Sequence, residues 1–187
     1  LQKGEEEGKK MVRLHTGDPS IYGAIREQMD RLDELGIKYD ICPGVSSFCG
    51  AAAALRAEYT LPDVSQTVII TRMAGRTPVP EKESIAALAA HNATMVIFLS
   101  TGLLKELSAE LIRGGYKPDT PAAIVYKASW ADQKVCRCTV EDLAQTASDN
   151  GITKTALICV GYFLGNDYSL SKLYDKSFET EFRKAEI

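Results

Sequence analysis

Short apolar runs alternate with segments of helical period along most of this sequence, and that alternation constrains the fold more than any other feature. Residues 66–71, 94–99, 122–127, 134–138 and 155–163 read as strands, β-branched or apolar through most of their length. Residues 81–90, 103–113 and 141–148 read as helices, the second stopped by Gly114-Gly115. The beginning follows the same rule. Residues 11–15 read as a short buried strand, and Ile21, Ile25, Met29, Leu32 and Leu35 then recur at spacings of four and three. That is one face of an amphipathic helix, opened at Ser20 and stopped by Gly36. Residues 37–41 alternate polar and apolar as the next strand, so 11–41 is expected to be a parallel, right-handed strand–helix–strand unit. Pro43-Gly44 breaks that strand, and Ser46 or Ser47 can cap the alanine-rich helix over 48–55. The fold class this predicts is α/β.

Residues 59–65 carry no period and hold a proline, which makes them a linker between a first domain, 1–62, and a second, 63–187. Beyond Gly165 the tail is polar and weakly helical. A net charge of −3 argues against a nucleic-acid surface, which shows a clustered basic excess. No apolar run approaches the roughly 20 residues of a membrane span, and the charged stretch 1–10 is not a signal peptide. Cys42, Cys49, Cys136, Cys138 and Cys159 are odd in number and scattered among apolar neighbours, which fits idle thiols in a reducing cytoplasm. His15 and His91 lack companions in a recognisable motif and read as structural; no metal-ligand spacing is present.

Chemistry concentrates at the strand-to-helix junctions. Gly17-Asp18-Pro19 leaves one carboxylate beside a helix start, where α/β proteins bind ligands; a capping Asp in a turn gives the same pattern. Pro43-Gly44-Val45-Ser46-Ser47 makes a second such turn, and adjacent loops at one sheet edge form a crevice. Arg72 and Arg76 lie in a Gly- and Pro-containing loop, and Lys127 follows a strand; guanidinium groups pair bidentately with carboxylates, although a solvated loop is the plainer reading of the residues alone. Phe98-Leu99-Ser100-Thr101, Tyr126-Lys127-Ala128-Ser129-Trp130 and Thr155-Ala156-Leu157 put small residues at strand ends, which permits backbone contact with an adenine ring and is equally what any αβ turn uses.

Taken in order, Val12-Arg13-Leu14-His15-Thr16-Gly17-Asp18-Pro19-Ser20-Ile21-Tyr22-Gly23, Ile41-Cys42-Pro43-Gly44-Val45-Ser46-Ser47, and 66–72 with Gly75-Arg76-Thr77-Pro78 resemble the S-adenosylmethionine-dependent tetrapyrrole methyltransferases. Gly75-Arg76-Thr77-Pro78 and Tyr126-Lys127-Ala128-Ser129-Trp130 are most similar to the branch acting at C-11 of precorrin-4 in cobalamin synthesis. The match runs from about Met11 to Phe163. The resemblance implies two α/β domains with mixed sheets, the cofactor folded in the cleft between them, and a homodimer. It implies S-adenosylmethionine as cofactor, S-adenosylhomocysteine as product, and a small-molecule tetrapyrrole as substrate, with neither nucleic acid nor membrane as partner.

It assigns Thr16, Gly17, Asp18, Ile21, Tyr22, Ser46, Ser47, Phe98, Leu99, Ala128 and Ala156 to the cofactor, and Arg72, Arg76 and Lys127 to the substrate's carboxylates. Asp18 is expected to hold the cofactor, not to move protons. No residue is assigned as general base, because a ring enamine carbon attacks the methyl group in line. Family members begin with a strand and a Gly-x-Gly-x-Gly-Asp-Pro-type loop. This chain begins at Leu1 without them, so its first domain is expected to be incomplete and the chain to hold most cofactor contacts yet lack catalysis. The rivals are a sister methyltransferase with another substrate, an inactive cofactor-binding or dimerising module, and, more weakly, a nucleotide-phosphate site at Gly17, which no P-loop lysine follows.

Overall fold

The computed structural model describes residues 2–171, 177–179 and 184. The weakly helical tail expected beyond Gly165 lies largely outside them; 166–171 have no regular structure. The chain divides into two compact units between Gly50 and Ala51.

The first unit holds helices α1 (Gln2–Glu6) and α2 (Arg26–Glu34) and the start of α3 (Ser47–Leu55). Its expected strands are not there. Residues 11–15 and 37–41 form no ladder among the described residues, and Val12, Leu14 and Ile41 are exposed. A strand exists only with a hydrogen-bonded neighbour, and an apolar run without one is extended chain. The helix expected from Ser20 begins at Arg26 instead. Tyr22 and Ala24 take positive φ, and Gly23 lies so close to Pro19 that a Cβ there would sit 2.0 Å from the Pro19 carbonyl oxygen. That packing excludes helical backbone before Ile25. The far end matches expectation: Gly36 takes φ +66°, its N–H bonds Asp33 O, and the Ile37 N–H bonds Leu32 O. This is a Schellman stop, for which glycine is the natural residue.

The second unit is built on a five-stranded mixed sheet in the order β1-β2-β5-β3-β4. The strands are β1 (Val68–Arg72), β2 (Thr94–Phe98), β3 (Pro121–Tyr126), β4 (Lys134–Thr139) and β5 (Ala156–Val160). β1 and β2 are parallel; β5 runs antiparallel to both β2 and β3, and β4 antiparallel to β3. β5 ends at Val160, short of the expected 163, because Gly161 takes φ +141° and a 3-10 turn follows over Tyr162–Leu164. Helices α4 (Ile85–Ala89), α5 (Leu104–Arg113) and α6 (Leu143–Asp149) join the core. α4 is shorter than the expected 81–90, because Ser84 accepts the Ala87 N–H as its N-cap and a 3-10 turn, Glu81–Glu83, precedes it.

Met95, Ile97, Ile124, Ile158 and Val160 pack with Ile85, Leu104, Leu107, Leu111 and Leu143 in one buried cluster. Val96, Val125 and Cys159, at the alternate positions, are buried as well. Burial on both faces explains why β2, β3 and β5 read as continuous apolar runs, while β4 at the sheet edge is largely exposed. Residues 59–65 are tied into this unit. The Tyr59 ring meets Phe163 edge-on at 5.1 Å, Tyr59 O accepts from Thr94 Oγ1 at 2.8 Å, and Ser65 Oγ accepts the Thr94 N–H at 3.1 Å. No helix among the described residues is long and apolar enough to cross a membrane.

Candidate functional site

In the first unit the two motif loops lie against each other. Asp18 Oδ1 accepts the Ser20 N–H at 2.9 Å and the Ser20 hydroxyl, and Oδ2 accepts the Gly44 N–H at 2.8 Å across 26 residues. A Cβ on Gly44 would sit 2.1 Å from Gly17 O, and one on Gly17 would sit 3.5 Å from Ser46 Cα and 3.6 Å from Ser47 N. The loops are therefore as close as two backbones pack, and Gly17 adds φ +68°. The Ser20 hydroxyl, then the Gly44 and Ser20 N–H groups, hold the Asp18 carboxyl below its ordinary range, so it is ionised. Gly17 and Asp18 thus lie against the turn that carries buried Ser46 and exposed Ser47, and the Ile21 N–H closes the same loop on Asp18 O at 3.4 Å. Asp18, expected to face a ligand, first of all braces one loop to the other.

In the second unit the register decides what meets. Arg72 stands opposite Phe98, and Tyr126 opposite both Ala156 and Lys134. The carboxyl ends of β1, β2 and β3 therefore share one end of the sheet with the amino ends of β4 and β5, and α/β sheets bind ligands beyond carboxyl strand ends. Phe98, Leu99, Ala128, Ala156, Arg72 and Lys127 all fall at that end. So do four non-glycine residues of positive φ: Leu99 (53°), Lys127 (46°), Ser129 (72°) and Thr155 (59°). Such conformations persist only where the surroundings over-determine them, and they concentrate at functional sites. Leu99 is also 72% exposed, unusual for a leucine that directly follows a buried strand.

Two hydroxyls stitch this end together. Fully buried Ser100 accepts the Met73 N–H at 2.9 Å and donates to Phe98 O at 2.7 Å; Thr101 donates to Ala156 O at 3.2 Å. Their signal in the sequence is a pair of small polar residues right after an apolar strand, which marks the place without saying which backbone groups they hold.

The three cations expected to face carboxylates are treated differently. The Arg72 guanidinium donates to Met73 O (3.4 Å), Thr77 O (3.2 Å) and Pro78 O (2.7 Å). Lys127 bonds Asp132, with its ammonium 5.1 Å from the Tyr126 ring centroid and 5.2 Å from that of Trp130. The hydrogen bond to Asp132 raises the Lys127 pKa and lowers that of Asp132. Arg76 is exposed and has no partner among the described residues. His15 and His91 are both exposed, and no group of three or more His, Cys, Asp or Glu residues that could hold a metal gathers among the described residues.

A mixed sheet whose strained loops and small polar residues gather at one end offers a place for a small molecule beyond the carboxyl ends of its strands. Residues 1–144 match the model of the family described as Tetrapyrrole (Corrin/Porphyrin) Methylases, and the chain belongs to that family; it is a methyltransferase. It is 56% identical over 186 residues to the cobalt-precorrin-4 C(11)-methyltransferase of Methanocaldococcus jannaschii, covering 99% of this chain and 72% of that protein. The X-ray structure of a cobalamin biosynthetic enzyme, cobalt precorrin-4 methyltransferase, superimposes with a TM-score of 0.86 at 50% identity, covering 88% of this chain and 69% of that one. A uroporphyrin-III C-methyl transferase from Thermus thermophilus, crystallised with S-adenosyl homocysteine, shares the fold at a TM-score of 0.69 and 21% identity, covering 87% of this chain and 67% of that one.

Proposed function

We propose that this chain transfers the methyl group of S-adenosylmethionine to C-11 of precorrin-4, in its cobalt form. The observation that carries the reading is the sheet end of the second unit. Leu99, Lys127, Ser129 and Thr155 hold backbone conformations costing about 1–3 kcal/mol each, all at strand ends where small residues leave backbone accessible. The cobalt form is favoured by the names of the M. jannaschii relative and of the X-ray structure.

The residues present suit the cofactor. Asp18 supplies a fixed negative charge toward a sulfonium and an α-amino group, and the Gly17–Gly44 contact leaves backbone where side chains would otherwise stand. Thr16, Gly17, Ile21, Tyr22, Ser46 and Ser47 in the first unit, and Phe98, Leu99, Ala128 and Ala156 in the second, are the proposed cofactor contacts. The cofactor brings the electrophilic methyl group. The chain supplies alignment and exclusion of water, and alignment alone contributes up to roughly 7–11 kcal/mol to such reactions. The attacking carbon is part of a ring enamine, so no protein nucleophile is required. Arg76 is the proposed contact for a substrate carboxylate. A homodimer, which rests on the family resemblance, and a place in the reducing cytoplasm, which rests on the free thiols, complete the proposal.

The test is a methylation assay with cobalt-precorrin-4, metal-free precorrin-4 and uroporphyrinogen III in parallel, beside titration of S-adenosylhomocysteine by calorimetry. Preferential turnover of the cobalt substrate is the expected result. Preference for uroporphyrinogen would make the chain a sister enzyme, and cofactor binding with no turnover of any substrate would make it a binding module; either refutes the assignment.

A further inference from the structure

We propose that Arg72 is a positioning residue: its guanidinium closes the loop 73–78 upon itself, and the closed loop presents Arg76 to a substrate carboxylate. This deepens the reading above and rests on its polycarboxylate substrate. Two arginines four residues apart in an irregular loop look equivalent in the sequence, but the structure separates their work. A guanidinium offers five N–H donors in a planar fork. That of Arg72 is turned along its own chain, onto the carbonyls of Met73, Thr77 and Pro78, so one side chain links both limbs of the loop.

The other fastenings act on the same segment. Buried Ser100 takes the Met73 N–H at 2.9 Å. The Gly75 N–H bonds Thr77 O at 3.2 Å, and the Leu103 side chain lies 3.5 Å from where a Gly75 Cβ would be. Met73, Gly75, Thr77 and Pro78 are all held, and Arg76 projects between them, exposed and unpaired among the described residues. Of the three cations that the resemblance assigns to the substrate, Lys127 is engaged by Asp132 and two rings and Arg72 by backbone, which leaves Arg76 as the member of that set with a free guanidinium. Fixing its backbone beforehand removes an ordering cost from the binding step.

The experiment is a double-mutant cycle on the intact chain. The probe is uroporphyrin III, an octacarboxylate tetrapyrrole, its binding followed by quenching of Trp130, the chain's one tryptophan. R76M is expected to weaken the probe about tenfold, the value of one charge-assisted hydrogen bond, and R72M by a similar factor. Because Arg72 acts through Arg76, adding R72M to R76M should cost no more than about twofold further. R76K should stay within about threefold of wild type, since a point charge suffices there, whereas R72K should remain as weak as R72M, since one ammonium does not span both limbs of the loop. S-adenosylhomocysteine affinity should be unchanged throughout.

Additive losses, about a hundredfold in the double variant, or full affinity in R72K, would overturn the proposal by making Arg72 an independent contact. Should R72M fail to give the wild-type circular dichroism, Ser100→Ala carries the test. It frees Met73 without touching a charge, and should weaken the probe several-fold only while Arg76 is present. Wild-type affinity in that variant overturns the proposal. Absence of probe binding by the wild-type chain, like additivity, overturns the inference, whereas the substrate reading is overturned separately, by the absence of cobalt-precorrin-4 turnover.

Discussion

Replacing Gly44 by alanine tests whether the close approach of the two first-unit loops serves the cofactor. The added Cβ would stand 2.1 Å from Gly17 O, 3.0 Å from Gly17 C and 3.4 Å from Asp18 Cα, all backbone, so no side chain can swing away. Non-bonded carbons rest near 3.5–4.0 Å from their neighbours, and the loops must part by about 1 Å or more. That displacement stretches the bond from the Gly44 N–H to Asp18, now 2.8 Å, past hydrogen-bonding range and releases one oxygen of the carboxylate. A charge-assisted contact contributes about 1.5–3 kcal/mol, so once Asp18 is displaced S-adenosylhomocysteine affinity measured by calorimetry is expected to fall about ten- to a hundredfold. The thermal transition of the sheet should hardly move, because Gly44 lies outside the buried core. Gly102→Ala is the control, since a Cβ there meets nothing within 4 Å. An affinity for G44A within twofold of wild type would refute the argument that these loops form a cofactor site.

Thr120 is fully buried and its hydroxyl has no partner among the described residues; Thr120→Val removes that unsatisfied group at nearly constant shape and should stabilise by about 1 kcal/mol, raising Tm by about 2–4 °C in a scanning experiment. Gly114→Ala forces a Cβ to 2.4 Å from Ala86 O and 2.5 Å from the Ala89 Cβ, where the end of α5 meets α4, and should cost about 1–3 kcal/mol in urea unfolding. Burial pushes the Cys159 thiol up to about 12, so the thiolate that alkylating agents attack is scarce; iodoacetamide at pH 8.5 should label exposed Cys42 and Cys49 in the native protein and spare Cys159, as peptide mass spectrometry would read. The same raised value means that the neutral thiol's contribution to stability is complete below pH 9 and is lost as pH climbs through about 12.

The second unit was largely legible in the sequence because its three central strands are buried on both faces, which writes a continuous apolar run into each of β2, β3 and β5. The first unit was not. Met11, Val12 and Leu14 carry the same pattern, but pairing is a property of two segments, and a run read alone does not reveal whether a neighbour exists. The start of α2 was hidden for a local reason. Ile21 falls on the helical period, yet backbone crowding at Gly23 and positive φ at Tyr22 and Ala24 override it, and neither leaves a periodic trace. At the candidate site the strand ends were visible as apolar runs closing in small polar residues. The separate fates of Arg72, Arg76 and Lys127 were not, because a guanidinium bonded to carbonyls of its own loop is spelled like one that faces solvent.

The position of β5 has a consequence for how the chain reaches its native state. β2 and β3 have no ladder with each other; they are joined only through β5, which arrives some thirty residues after β3 in the sequence. During synthesis, β1 with β2 and β3 with β4 can each zip as local pairs, but the two halves stay unjoined until Ala156–Val160 slides between them. Closure is therefore a late, long-range and slow event. It is also the event that brings Leu99, Lys127 and Thr155 to one place, so the strained end of the sheet is assembled only when the last strand is inserted.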